Sequence, residues 1–149
     1  MQAEDYEAVH ALYEDREALR YMDSFFRGED HRDFFESYVK NMYRFYDFGM
    51  YVLVEKATGT IVGHAGLDVT EDETGEPAVT LGYLTARDWR RKGLALRACR
   101  EILRYAKEKL GLERVQIRVH PANEPSLGLA RRLSEEFPGF AVLSLAKSV

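Results

Sequence analysis

Residues 80–106 read TLGYLTARDWRRKGLALRACREILRYA, and this stretch decides the fold. A short apolar run breaks into a cationic turn bearing one glycine, and the turn opens directly into an amphipathic helix. Ala95, Ala98, Cys99, Ile102, Leu103, Ala106 and Leu110 fall at helical spacing, with Arg97, Arg100, Arg104 and Lys107 on the other side. The first N–H groups of a helix lack intrahelical acceptors and together carry about half a positive charge, so a strand–turn–helix joint attracts anions. Arg90, Arg91 and Lys92 add cations at that joint. Gly93 removes the side chain where a ligand would meet backbone, and Leu94 and the small Ala95 start the helix. The stretch reads as a phosphate site docked on a core.

The rest of the chain supplies that core. A length of 149 residues suits one domain over 1–149 that buries roughly two-thirds of its unfolded surface. Hydrophobic residues make up 46% and charged residues 31%, ordinary for a globular chain, and no apolar run approaches the roughly 20 residues of a membrane span. Met1–Asp5 is acidic, unlike a secretory signal. The single cysteine, Cys99, has no intramolecular disulfide partner and lies on the apolar helix face. A cytoplasmic location without membrane association is the expectation. A net charge of −4 argues against general nucleic-acid affinity and favours an amine or cationic substrate.

Outward from the joint, Tyr6, Val9, Leu12 and Tyr13 predict a first helix, capped by Asp5 and running toward Arg20. A second covers Glu29–Tyr46, where Phe34, Phe35, Tyr38, Val39, Met42, Phe45 and Tyr46 recur at helical spacing, as core or as the wall of a cleft. Gly49 ends it. Tyr51–Glu55 and Thr60–Val69 read as a hairpin, and the polar segment 70–77 leads to the central strand Ala78–Thr85. After the basic helix, Gly111 is a stop, Val115–Val119 alternates as a strand, Asn123 caps a helix to about Glu136, and Phe140–Leu145 is a last strand. The order is α-α-β-β-β-α-β-α-β in a mixed, mostly antiparallel α/β sheet.

The run Arg90-Arg91-Lys92-Gly93-Leu94-Ala95 resembles the acyl-coenzyme A signature of the GNAT superfamily of N-acetyltransferases: Gln or Arg, two residues, Gly, one residue, then Gly or Ala. The segment His120-Pro121-Ala122-Asn123-Glu124-Pro125-Ser126 resembles the family's Asn-x-x-Ser element, which follows the next strand and begins the next helix. The likeness covers roughly Asp5 to Phe140 and is closest to the branch that includes ribosomal-protein alanine acetyltransferases. It implies acetyl transfer from acetyl-coenzyme A to a primary amine of a small molecule or peptide N-terminus, with no metal. It also implies contacts to the coenzyme from residues 90–95, from the backbone of Tyr83, Leu84 and Thr85, and from Asn123 and Ser126. Those last two equally suit plain helix capping.

The chain departs from the family in several places. Relatives begin with a strand before the first helix; here that strand is missing or reduced, which leaves a sheet edge for a loop, a partner or a second copy of the chain to cover. The helix end at Ser134–Pro138 is long. Many relatives carry a glutamate two residues before the Gly-Tyr of the central strand and a tyrosine four residues after the Ser, but here Thr80 and Ala130 stand there. The remaining acid–base candidates are His64, Asp68, Glu76 and the Tyr83 hydroxyl, beside proton loss to solvent. The acidic residues Glu71, Asp72, Glu73 and Glu76 would attract a cationic acceptor or simply form a solvated loop. A domain that binds acetyl-coenzyme A without catalysis is the alternative to an enzyme.

Overall fold

The elements follow from local chemistry, as seen in a computed structural model that describes residues 1–146. Helix α1 spans Tyr6–Leu12, shorter than the predicted run to Arg20. The Asp15 carboxylate accepts the N–H groups of Glu17 (3.1 Å) and Ala18 (3.4 Å), so a side chain takes over the donors a longer helix would use, and a 3-10 turn follows at Ala18–Arg20. Asp5 does not cap α1; its carboxylate accepts Gln2 N–H at 2.7 Å inside a 3-10 turn at Ala3–Asp5. Helix α2, His31–Tyr46, is capped by Asp30, which accepts Asp33 N–H at 2.9 Å. It is ended by Asp47 in the left-handed region (φ 62°) and not by Gly49.

Five strands form one sheet in the order β1-β2-β3-β4-β5: β1 Met50–Val54, β2 Ile61–Glu71, β3 Pro77–Thr85, β4 Val115–Val119 and β5 Ala141–Leu145. The β1/β2 and β2/β3 ladders are antiparallel and carry most of the pairing; β3/β4 and β4/β5 are parallel. Gly66 lets β2 pass close to the chain entering β1: a Cβ there would lie 2.2 Å from the Gly49 carbonyl oxygen. Among the described residues no strand precedes α1, so β1 is an edge, as the sequence leads one to expect. Its first residue is covered by α2, where Tyr38 Oη accepts Met50 N–H and Tyr43 Oη donates to Met50 O.

Two cores lie on the two faces of the sheet. One packs Leu67, Leu81, Val115, Ile117 and Val119 against Cys99, Leu103 and Ala106 of α3 (Leu94–Glu108) and Leu127, Ala130 and Leu133 of α4 (Glu124–Glu136). Burying each large side chain of this set contributes about 1.5–3 kcal/mol. The other packs Val9, Leu12, Tyr13, Phe26, Phe35 and Leu84 under α1 and α2. The aromatic face of α2 is therefore core at Phe35, but Phe45 stands 79% exposed. Arg100 makes a two-pronged ion pair with Glu136 (2.6 Å for each arm), which fixes the long end of α4 to α3.

Candidate active site

The joint between β3 and α3 has the geometry of an anion cradle. After a 3-10 turn at Arg87–Trp89 the chain is extended at Arg90, left-handed at Arg91 (φ 63°) and left-handed again at Gly93 (φ 77°), which forms the N-cap of α3. No side chain caps this helix. Its first backbone bond runs from Arg97 N–H to Gly93 O (3.1 Å); Arg90 and Arg91 form a turn that closes on Lys92, and among the described residues the N–H groups of Arg91 and of residues 93–96 have no protein acceptor. A Cβ placed on Gly93 would meet no atom within 4 Å, so open space lies where those donors converge.

The three cations at the joint have different positions. Arg90, read from the sequence as a phosphate ligand, is engaged inside the protein: its Nε donates to Thr85 O (3.1 Å) and its Nη2 to Asp15 Oδ2 (2.8 Å). Arg87 joins Asp15 from the other side at 2.9 Å, and these guanidinium bonds hold the Asp15 carboxyl down at about 2. Arg91 is exposed, and Lys92 Nζ lies 4.8 Å over the Trp89 ring.

Beside the joint the sheet splits. Strand β3 meets β4 at one Cα pair only, Thr80 with Gln116, so the two strands diverge from Leu81 to Thr85. Ala86 N–H bonds Val62 O of β2 (2.8 Å), and strand alternation turns the backbone of Leu84 toward β2 as well. The same alternation turns the polar groups of Tyr83 and Thr85 into the gap. Tyr83 Oη donates to Ser126 Oγ at 2.7 Å across it, and burial pushes the phenol up to about 12. Asn123 Oδ1 accepts Ser126 N–H (3.4 Å) as the cap of α4.

Tyr83, Thr85, Asn123, Ser126 and residues 91–96 thus converge on one gap; His64 does not. It lies on β2, 0% exposed, beneath α1 and against Phe25. Nδ1 is 2.8 Å from Tyr13 Oη, Nε2 is 3.0 Å from Met1 Sδ, and burial, then the nearby N-terminal amine, drive its pKa down to about 3. A neutral ring with both nitrogens engaged cannot serve an incoming amine. Thr80 is held between Thr70 Oγ1 (2.6 Å) and Gln116 Nε2 (2.8 Å), and Ala130 is wholly buried. Asp72 builds its own turn by accepting from Thr74 and from Glu76 N–H (3.1 Å), with Thr74 the main reason its pKa is lowered. Asp15 and Gln116 are the residues sequence reading missed. The only trace of Asp15 is the broken helical period after Tyr13, and nothing along the chain ties it to Arg90.

A family profile described as "Acetyltransferase (GNAT) domain" matches residues 1–134. The chain belongs to the GNAT acetyltransferase family. Over 141 residues it is 26% identical to an N-acetyltransferase of Bacillus licheniformis named p20, itself uncharacterized, covering 93% of this chain and 78% of that one. Among solved structures it is similar to a GNAT-family acetyltransferase of Bordetella pertussis, with TM-score 0.74, 22% identity and coverage of 89% and 79%. A ribosomal-protein-alanine N-acetyltransferase of Brucella melitensis gives TM-score 0.69, 18% identity and coverage of 89% and 80%. At these identities the structures attest the fold. The GNAT fold accounts for the split sheet and for a helix beginning where it splits. Among the described residues no helix is long and apolar enough to cross a membrane.

Proposed function

We propose that this GNAT domain transfers an acetyl group from acetyl-coenzyme A to a primary amine of a small molecule or a peptide N-terminus, by direct attack in a ternary complex. The observation that carries this reading is the row of N–H groups at residues 93–96, unpartnered among the described residues, beside the β3/β4 gap. Those donors, with Arg91 and Lys92, fit a pyrophosphate, and the free backbone groups of Tyr83 and the N–H of Thr85, whose carbonyl is taken by Arg90, fit the amides of a pantetheine arm. The coenzyme, when bound, supplies an activated acyl thioester.

The chain's own residues then bind and orient. Arg90 acts as a strut that links the joint to α1 through Asp15 and supports β3 at Thr85. Tyr83 stays protonated near neutral pH, so its hydroxyl is a proton donor and not a base. Absence of the family's glutamate and tyrosine at Thr80 and Ala130 removes an effect typically worth 10²–10⁴-fold. Holding two reactants in line is worth up to about 7–11 kcal/mol, the larger contribution. The same two positions favour the second reading, a domain that binds acetyl-coenzyme A without turnover.

The test is thermal denaturation with acetyl-coenzyme A and with adenosine, followed by thiol release with a panel of primary amines. At 100 times Kd a ligand adds about 2.7 kcal/mol. Acetyl-coenzyme A should raise Tm by about 5–10 °C in a domain of this size, adenosine should not, and at least one amine should release thiol. A shift without turnover favours the noncatalytic reading; no shift at millimolar coenzyme refutes both.

A further inference from the structure

Asp68 occupies an unusual place. It is the direct cross-strand partner of Thr80, the position where many relatives carry their glutamate, and it shares the α2-side face of the sheet with Thr70 and Thr80. Directly opposed antiparallel residues hold their Cβ atoms about 4.5–5.5 Å apart, so its carboxylate reaches the space a side chain from position 80 would fill. The carboxylate is half-buried, accepts only Val69 N–H (2.9 Å), and joins none of the ion pairs among the described residues. It is near enough to the Tyr38 phenol to oppose that group's ionisation.

The surroundings point to an incoming cation. The gap between β3 and β4 closes at Thr80 and Gln116, about 16 Å along the strand from Thr85 at 3.3 Å per residue. An arm entering from the 91–96 joint ends at that closure, one strand away from Asp68. Gly82 follows Thr80 on the same face and leaves it open: a Cβ there would meet only the Met50 side chain, at 3.8 Å. The face therefore has room for a small group at Gly82, beside the closed end of the gap, and among the described residues the Asp68 carboxylate makes no ion pair.

We infer that Asp68 is the carboxylate that holds the acceptor's ammonium group and takes its proton, and that the acceptor is a primary amine with no carboxylate beside the nitrogen. This rests on the acetyltransferase reading. The ammonium gives one proton to the carboxylate, and its freed lone pair forms the N–C bond to the acyl carbon of the thioester. The C–S bond breaks, its electron pair leaves on sulfur, and the second amine proton neutralises the thiolate. The products are an acetamide and a thiol, and Asp68 returns its proton to solvent.

The experiment uses the full chain, with L-alaninamide, L-alanine and spermidine as probes. Wild type should favour the amide over the amino acid by at least tenfold in kcat/KM. Asp68→Asn, which keeps the acceptor for Val69 N–H, should lower kcat/KM for alaninamide and spermidine by 10²-fold or more and abolish calorimetric binding of the amine to coenzyme-loaded protein. Its Tm and acetyl-coenzyme A affinity should stay as in wild type, and Asp68→Glu should recover part of the loss. Equal turnover and amine binding in wild type and Asp68→Asn would overturn the assignment and leave the acetyltransferase reading standing. Coenzyme binding with no binding or acetylation of any probe also overturns it. Failure of wild type to bind acetyl-coenzyme A removes the acetyltransferase reading and this inference together.

Discussion

Gly93→Val separates the backbone requirement of the joint from its ligand requirement. Gly93 sits at φ 77°, ψ 8°, a conformation that costs an L-residue roughly 1–2 kcal/mol. No atom lies within 4 Å of the new Cβ, so there is no packing clash to add. At roughly 2–4 °C per kcal/mol for a domain of this size, Tm should fall by about 2–8 °C and the fold should survive. On the proposed reading the same open volume takes the phosphates, so both γ-methyl groups of valine would displace the ligand while Arg91 and Lys92 remain. Acetyl-coenzyme A affinity should fall at least tenfold, about 1.4 kcal/mol or more, and Gly93→Ala should lie between. Calorimetry of acetyl-coenzyme A against the three proteins, with circular dichroism melts, measures both quantities. Equal affinities for wild type and Gly93→Val would place the phosphates elsewhere; a Tm loss far above 8 °C would show that the site is not open.

Tyr83→Phe should leave acetyl-coenzyme A affinity within a factor of about two and lower kcat by roughly 10²-fold, read by steady-state thiol release. Asp15→Asn frees Arg87 and Arg90 and should weaken coenzyme binding by about three- to tenfold, on the order of 1 kcal/mol; unchanged affinity in calorimetry would show that the strut is dispensable. His64 predicts acid lability. The unfolded state takes its proton near pH 6.5 and the folded state only near 3, so the unfolded state binds more protons in that window. Stability should fall with decreasing pH by up to about 1.4 kcal/mol per unit and be flat above 6.5. Urea titrations across pH 4–7 should show this slope in wild type and lose it in His64→Gln. Leu103→Ala, at a wholly buried position, should cost about 2–5 kcal/mol by urea unfolding.

The order of elements could be read from the sequence because each is signalled within a few residues: the helical period of 95–110, the Asn123 cap, the glycines at turns. What the chain could not show is contact across long separations. Asp15 and Arg90 meet over 75 positions, and this contact engages the side chain of a motif arginine inside the protein. Asp68 and Thr80 are twelve apart in sequence, and only the register of β2 against β3 makes them neighbours. His64 was ambiguous because alternation along β2 gives the side of the sheet but not the cover; Met1, Tyr13 and Phe25 supply the cover from three separate segments. The early end of α1 had a local cause in Asp15, yet its full weight depends on arginines far along the chain.

That one carboxylate ties the two layers of the molecule together. Asp15 Oδ1 takes the N–H groups of Glu17 and Ala18, which ends the first helical segment, and the same carboxylate takes Arg87 and Arg90 from the joint after β3. Arg90 in turn occupies Thr85 O, the last carbonyl of β3 facing the gap. A displacement of the α1–α2 layer, which packs on the same side of the sheet as Asp68, is therefore transmitted through a charge-assisted chain to the backbone of the β3–α3 joint. On the proposed reading, an anion bound at residues 91–96 would fix the same backbone from the opposite side. Coenzyme and acceptor sites should thus be coupled in binding free energy, and linkage requires the coupling to be equal in both directions. Asp15→Asn should therefore weaken this coupling as well as the coenzyme affinity: the gain in amine affinity on adding coenzyme, measured by calorimetry, should shrink in the variant, and an unchanged gain would show that the strut does not carry the coupling.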